Sequence, residues 1–480
     1  MKRAQKNSWI TIPQSTLHSA IGSLVLASCT LINPVNHYLS GFLLISCALV
    51  SYIWIVLSTT QRNWLDLRAV FSLVWLVTIG LANLRLLEYQ EQWQGKTWVL
   101  LALAYGAFQI GILFGEAYGY KQLTRVLYSK RLMSWKNAFS IHGNRIFPIC
   151  VGVTLIGFIC FVANVVIRGY IPYFVPDQNA YAQFYTKFYL FAVAATSISG
   201  LCYYSLKTGQ MKAWKIAILY LCILYSTFLF PILAVSRGTF LTSALILTTV
   251  IFYLNNKRFW ILVLCVLVTG GVYAFSSAAR GYSDAQLDIF FEPATISTNS
   301  EQAVEEQAMA EQVQSDQVQS FTLPSKVAFL YSYLTVSHDN FNEAVQNSTE
   351  LSYGIRQFIP FNVILRLPLP ETEQTYLVRE HLNTYNLIGD AYYDFHEVGV
   401  VISVFIWAFI FGTIQAWYLT YKGPFSLLAL GNTVSAVALS FFAPWMSVFS
   451  HWMHWGTALL LFLICSATLK RNQNRRVAEK

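Results

Sequence analysis

The chain has 480 residues, of which 55% are hydrophobic and 16% aromatic, while only 11% are charged. Soluble domains carry about 25% charged residues, so this composition excludes a disordered chain and argues against a soluble globular enzyme. A polytopic membrane protein fits, and the net charge of +9 is then read by where it lies, not as an attraction to nucleic acid.

Runs long enough to cross roughly 30 Å of hydrocarbon, about 20 apolar residues each, predict about twelve transmembrane helices. They lie at 17–33, 39–57, 68–87, 97–115, 146–167, 185–206, 213–233, 239–254, 259–276, 398–420, 425–443 and 451–469. With Lys2, Arg3 and Lys6 on the cytoplasmic side, alternate segments collect 22 of the 32 basic residues, so both termini are expected inside. The chain divides into a membrane domain of about nine spans (1–276), a large extracytoplasmic loop (277–397), and three last spans with a basic tail (398–480). That loop holds 17 of the 23 acidic residues and five basic ones. The first apolar run ends at Asn33-Pro34 and not at a small-residue cleavage site, so it reads as a signal anchor. All eight cysteines fall in predicted spans, as small apolar packing residues, and the loop offers neither a disulfide framework nor a thiolate metal site.

The spans are almost free of charge and show no inverted repeat, which disfavours proton-coupled transport. Gly95-Lys96-Thr97 resembles the end of a phosphate loop, but Gln90 stands where the upstream glycine belongs. Glu371 and Glu373 form an acidic pair of a kind common in solvated loops. No metal or cofactor is expected.

Within the loop, residues 283–320 are rich in Gln, Glu, Ser and Ala and read as a mobile excursion. After Pro324 a helical stripe runs through Val327, Tyr331, Leu334, Phe341 and Val345, with His338 beside it and Asp339, Asn342, Glu343 and Gln346 on the polar face. His338 and Asp339 are candidate catalytic groups, against the ordinary reading of His338 as a hydrogen-bonded core residue. The apolar stretch from Phe358, flanked by Arg356 and Arg366, is too short to span and reads as an interfacial segment.

Before the tenth span, Asp390, Asp394 and Glu397 fall at i, i+4 and i+7, on one face if the segment is helical. Mutual repulsion there suits a general base; the alternative is a solvated helix start with Asp390 as cap. Arg237, in Val235-Ser-Arg-Gly-Thr, and Arg280, just past the ninth span, offer guanidinium forks for phosphate, against snorkelling to lipid headgroups. His451 and His454, among Trp445, Trp452 and Trp455, read as part of an interfacial aromatic belt.

Together these residues resemble the bacterial oligosaccharide repeat-unit polymerases, the Wzy-type O-antigen polymerases. Arg168-Gly-Tyr-Ile-Pro-Tyr-Phe is similar to the family's Gly-x-Ile-Pro segment, and Ser236-Arg237-Gly238 to its Ser-Arg-Gly turn. Tyr353-Gly-Ile-Arg-Gln-Phe-Ile-Pro360 resembles a Gly-to-Pro stretch late in the large loop. Asn383-Thr-Tyr-Asn, Gly389-Asp390 and Tyr393-Asp394-Phe395 through Gly399 resemble its Asn-Thr…Gly-Asp…Tyr-x-Asp-Phe-Gly-x-x-Gly run, with His396 where the pattern has glycine.

The resemblance implies block transfer on the outer face of the inner membrane. A growing glycan on polyprenyl pyrophosphate is donated to a new lipid-linked repeat unit, with inversion. Arg237 and Arg280 would stabilise the pyrophosphate, with Arg356, Arg366 and Tyr393 also binding substrate, and the base would come from Asp390, Asp394, Glu397 or His338. Pyrophosphate is already a good leaving group, so a divalent metal would be unnecessary. The implied partners are polyprenyl pyrophosphate-linked oligosaccharides, membrane lipids, a chain-length regulator and a flippase. The rival readings are an O-antigen ligase, for which His381 and His396 speak, and a flippase or other lipid-linked carrier transporter.

Overall fold

The structure is a computed structural model and describes residues 21–29, 32, 36–59, 62–128, 143–175, 184, 186–255, 258–264, 324–358, 375–379, 382–444 and 447–478. Arg280, Arg366, His381, the Glu371–Glu373 pair, Pro34, Cys265 and the whole of 283–320 lie outside them. The described residues are helical throughout, with no strand. After a short helix at 21–29 come α1 (His37–Ser58), α2 (Leu67–Asn83), α3 (Gly95–Tyr128), α4 (Gly143–Arg168), α5 (Lys187–Thr208), α6 (Ala213–Leu233) and α7 (Arg237–Leu254). Beyond the undescribed stretch follow α8 (Ser325–Asn347), α9 (Gly389–Tyr421), α10 (Pro424–Ala438) and α11 (Phe449–Ala478).

Seven of these, α1, α3 to α7 and α9, are long and apolar enough to cross a membrane, while α2 and α10 are apolar but shorter. About twelve spans were expected, of which parts of 17–33 and most of 259–276 lie outside the described residues. The two short helices end where polar chemistry intervenes: α2 stops at Asn83, whose amide is bound by the carbonyl of His37 (3.1 Å) and by Ser40. α10 gives way after Ala438 to a turn at Leu439–Phe442 and Pro444.

The ends follow local chemistry. The Asn36 side chain accepts the Leu39 N–H at 3.0 Å to cap α1, and Asp66 caps α2 by accepting the Arg68 N–H at 3.1 Å. In α6, Pro231 has no N–H and its ring crowds the carbonyl four residues back; the preceding turn, Tyr225–Leu229, widens into a π-helix.

The tightest packing in the molecule joins α3 to α9. A Cβ on Gly111 would stand 2.6 Å from the Phe405 carbonyl oxygen, and Gly115 and Gly412 face the carbonyls of Phe409 and Ile112 more closely still. Without side chains at these positions the backbones touch, as small residues permit between membrane helices. The Thr413 hydroxyl donates to the Gly115 carbonyl across the seam (3.2 Å).

At the far end of the seam α3 carries Glu116, one residue past the span read at 97–115. Gln415 bonds Glu116 and, at 3.3 Å, Asp66, which in turn holds Arg68 at 3.3 Å. The glutamine also accepts the Leu67 N–H at 3.2 Å, so one side chain ties α2, α3 and α9 together.

α8 departs most from the sequence picture. It was expected as an amphipathic helix of the external loop, with Asp339 and Asn342 on a solvated face. Instead His338, Asp339, Asn340 and Asn342 are all buried, because α8 packs against α2, α3 and α9. His451 and His454 likewise lie inside and not in a surface belt. His451 Nδ1 meets the Asn432 amide oxygen at 3.2 Å, and His454 Nε2 meets the Val193 carbonyl at 3.0 Å.

Candidate functional site

α8 works as a clamp for the segment leading into α9. The Asn340 amide donates to the carbonyls of Leu382 (2.6 Å) and Thr384 (2.8 Å), and its oxygen accepts the Val378 N–H (3.0 Å). The Ser440 carbonyl accepts the Leu387 N–H at 2.8 Å, while its hydroxyl accepts from the Trp75 indole at 2.7 Å. Backbone from two distant parts of the chain is thereby fixed at the start of α9, where Gly389–Asp394 form a short helical lead-in; the long helix resumes at Glu397, in keeping with a span expected from 398.

His338 belongs to this clamp. The Asn386 amide nitrogen lies 3.1 Å from Nδ1, and Thr78 Oγ1 lies 2.9 Å from Nε2. An amide N–H can only donate, so Nδ1 accepts and the proton sits on Nε2, which donates to Thr78. Both ring nitrogens are used, and burial holds the imidazole neutral, with its pKa pushed down to about 3. Asp339 is closed in the same way. Gln90 Nε2 and Trp93 Nε1 each donate to one of its oxygens at 2.9 Å. Burial pushes this carboxyl up to about 7, opposed by Arg85, which takes a left-handed φ of 50° beside it. Gln90, dismissed in the sequence as a spoiled phosphate loop, thus has a structural task.

At the start of α9 the structure gathers four of the candidates: Arg356, Asp390, Tyr393 and Asp394. The two oxygens of buried Asp394 accept the backbone N–H groups of Arg356 (3.1 Å) and Gln357 (2.9 Å). The carbonyls of Tyr393 and Asp394 accept the N–H groups of Ser352 (2.9 Å) and Tyr353 (3.2 Å). The 352–358 turn is therefore stapled to the helix, and Asp394 spends its lone pairs on the staple. The Arg356 guanidinium lies flat over Tyr393, 3.7 Å from the ring centroid, and reaches Thr375 Oγ1 at 3.5 Å. Tyr393 OH accepts the Tyr376 N–H (3.0 Å) and meets Tyr385 OH at 2.9 Å.

Asp390 is different. Ser447 donates to its Oδ2 while standing 3.1 Å from the Arg356 carbonyl, to which the same hydroxyl is also directed. Arg356 attracts this carboxylate and Asp394 repels it. Among the described residues Oδ1 has no hydrogen-bond partner. Ser447 went unnoticed in the sequence; it follows the Pro444 break with nothing to mark it.

Glu397 does not share the face of Asp390 and Asp394. The backbone leaves the helix at Phe395 (φ −147°, ψ 20°) and His396 (φ 47°, ψ −136°), and turns Glu397 outward to pair with Lys96 at 2.6 Å. Lys96 also donates to Tyr392 OH at 3.0 Å, and the His396 ring stacks on Tyr392 with centroids 5.0 Å apart. His396 holds a conformation that glycine adopts freely and other residues only at a cost.

Arg237 is set elsewhere, as the first residue of α7, buried, behind Ser236 and Thr239, whose hydroxyls meet at 2.8 Å. Before it, Val235 has φ 51°, an outlier for a β-branched residue. Among the described residues, left-handed non-glycine backbone occurs at Arg62, Arg85, Val235, Tyr353, His396 and Lys422. Among the described residues no three His, Cys, Asp or Glu side chains converge as metal ligands would. Compared with known proteins, the chain has no matching family model, and no curated protein or solved structure shows significant similarity to it.

Proposed function

We propose that the chain polymerises lipid-linked oligosaccharide repeat units of a surface polysaccharide. It does so by inverting glycosyl transfer from polyprenyl pyrophosphate on the outer face of a bacterial inner membrane. The observation that carries this reading is the docking of two motif segments, 352–358 and 385–394, through the Asp394 carboxylate. One turn back, Asp390 makes no hydrogen bond through Oδ1 among the described residues and feels the attraction of Arg356. The left-handed backbone at His396 adds support, since the resembling pattern has glycine there.

In this mechanism Asp390 Oδ1 takes the proton of the acceptor hydroxyl as its oxygen attacks the anomeric carbon. Ser447 orients the carboxylate through Oδ2. Arg356, fixed over Tyr393, stabilises negative charge developing on the departing pyrophosphate. Arg237, buried at its turn, and Arg280 and Arg366 are the further cations assigned to that phosphate. Asp394 is a positioning residue, Glu397 pairs with Lys96 at the rim, and His338 is part of the scaffold.

Deletion and complementation in the host test the reading through the glycan ladder on a gel. A polymerase deletion leaves single repeat units on the surface. Polymer made but not attached to the core would mark a ligase, and loss of all exported glycan a flippase. Either of those patterns overturns the proposal, as does Arg237→Ala or Asp390→Asn keeping full polymer length.

A further inference from the structure

A groove of about 590 Å³ runs along the side of the bundle, between the short helix at 21–29, α3 and α9. Its lining is apolar apart from the Ser23 hydroxyl. At Ser23 the short helix closes on α3, where a Cβ on Gly106 would lie 3.1 Å from the serine Oγ.

Each of the two long helices turns one stripe to the groove. On α3 the stripe is Val99, Leu103, Gly106 and Ile110, at intervals of three and four residues, and on α9 it is Val401 and Phe405. Carried one turn towards the helix starts, the two stripes arrive at Lys96 and Glu397. These residues pair at 2.6 Å, so one ion pair closes both walls at the same end of the groove. The two side chains are 45% and 48% exposed, a setting in which an ion pair contributes little and exchanges easily. The Lys96 ammonium has three N–H donors and spends two, on Glu397 and on Tyr392 OH at 3.0 Å. Tyr392 belongs to the helical lead-in that carries Asp390 and Asp394, so the charged end of the groove adjoins the carboxylates.

An apolar slot by itself would take any hydrocarbon. One that ends at a cation with a spare donor selects an amphiphile with an anionic head. A phospholipid has such a head, but only the lipid-linked donor needs its phosphate beside Asp390. We propose that this groove holds the isoprenoid tail of the polyprenyl pyrophosphate substrate, with Lys96 binding its phosphate. The assignment rests on the polymerase reading above, and its own claim is an isoprenoid subsite with a cation at its mouth.

The full chain in phosphatidylcholine nanodiscs is titrated with farnesyl pyrophosphate, a short isoprenoid pyrophosphate, against empty nanodiscs. Leu103→Trp, which fills the groove from a half-exposed position, is expected to weaken binding about tenfold, and Lys96→Ala about fivefold. Lys96→Arg keeps the charge and stays within about twofold of wild type. Glu397→Gln frees the ammonium and tightens binding, whereas an ion pair with only a structural role would make Lys96→Ala and Glu397→Gln behave alike. All four variants elute from size exclusion as wild type does. A photoreactive residue in place of Leu24, on the groove wall, captures the isoprenoid. Unchanged binding in Leu103→Trp and Lys96→Ala, or no binding by wild type, overturns the subsite. So does capture, with the probe present, of phospholipid alone or of a peptide from the same chain. If deletion in the host leaves the glycan ladder intact, the polymerase reading falls, while isoprenoid binding lost in Leu103→Trp and Lys96→Ala would still uphold the subsite.

Discussion

The middle of α8 and the start of α9 each present a buried acid beside a second candidate, and they differ in what is left over. In α8 both nitrogens of His338 and both oxygens of Asp339 are engaged by Thr78, Asn386, Gln90 and Trp93. In α9 Asp394 is equally engaged, but Asp390 keeps one oxygen open, with Arg356 close by. Burial is common to scaffold and site alike. What separates them, among the described residues, is a carboxylate oxygen that accepts no hydrogen bond.

The comparison breaks most sharply at Asp390. Asp390→Asn keeps the shape and the Ser447 contact but removes the base, so polymerisation should fall by about 10²-fold or more. The thermal midpoint in detergent should stay unmoved; a variant that polymerises normally would put Asp390 with the scaffold. Asp394→Ala is expected to lower stability by about 2–4 kcal/mol, because two buried N–H groups lose their acceptor. Asp394→Asn, which keeps one acceptor, should lie between, as chemical unfolding of the purified protein can show.

His338→Leu leaves the Asn386 amide without its acceptor, while Thr78 keeps the Val74 carbonyl, and should cost about 1–3 kcal/mol. Polymer length at permissive temperature should be that of wild type, an outcome opposite to Asp390→Asn. The α8 pair also predicts a pH signature. A histidine lowered to about 3 binds fewer protons when folded, so its contribution to stability grows as pH rises from about 3 towards 6.5. A carboxyl raised to about 7 binds more protons when folded, so its contribution falls as pH rises from about 4 to 7. The two nearly cancel between pH 4 and 6.5. Asp339→Asn should therefore unmask a midpoint that climbs with pH across that window, and a flat profile would count against closed burial of His338. The smallest effect is His396→Gly, which relieves the left-handed backbone and should stabilise by about 1 kcal/mol. It also removes the stack on Tyr392.

Much of the membrane plan was legible because apolar length is a local property of sequence. The spans read at 39–57, 146–167, 185–206, 213–233 and 239–254 each coincide with a helix within a few residues. The burial of α8 was not legible. Its polar face is satisfied by partners as distant as Thr78, Gln90 and Asn386, and a helix that buries polar groups against polar groups has the pattern of one facing water. In the candidate site, residue types could be read and orientation could not. The i, i+4, i+7 rule puts Glu397 with Asp390 and Asp394 only while the helix is regular, and two non-helical residues at 395–396 reverse it. The glycine expected at 396 by resemblance was the one hint of that break.

The glycine seam between α3 and α9 has a further consequence, in biogenesis. More than half the chain separates the two helices, so α3 is inserted long before its partner is synthesised. Until α9 arrives, the Gly111–Gly115 face of α3 has no counterpart and must rest against lipid or the insertion machinery. The same late event that closes the seam brings in Asp390 and Asp394, because they ride on the same helix. A chain cut short before residue 389 lacks both carboxylates and the helix that closes the seam, so under the proposed chemistry unfinished copies have no base.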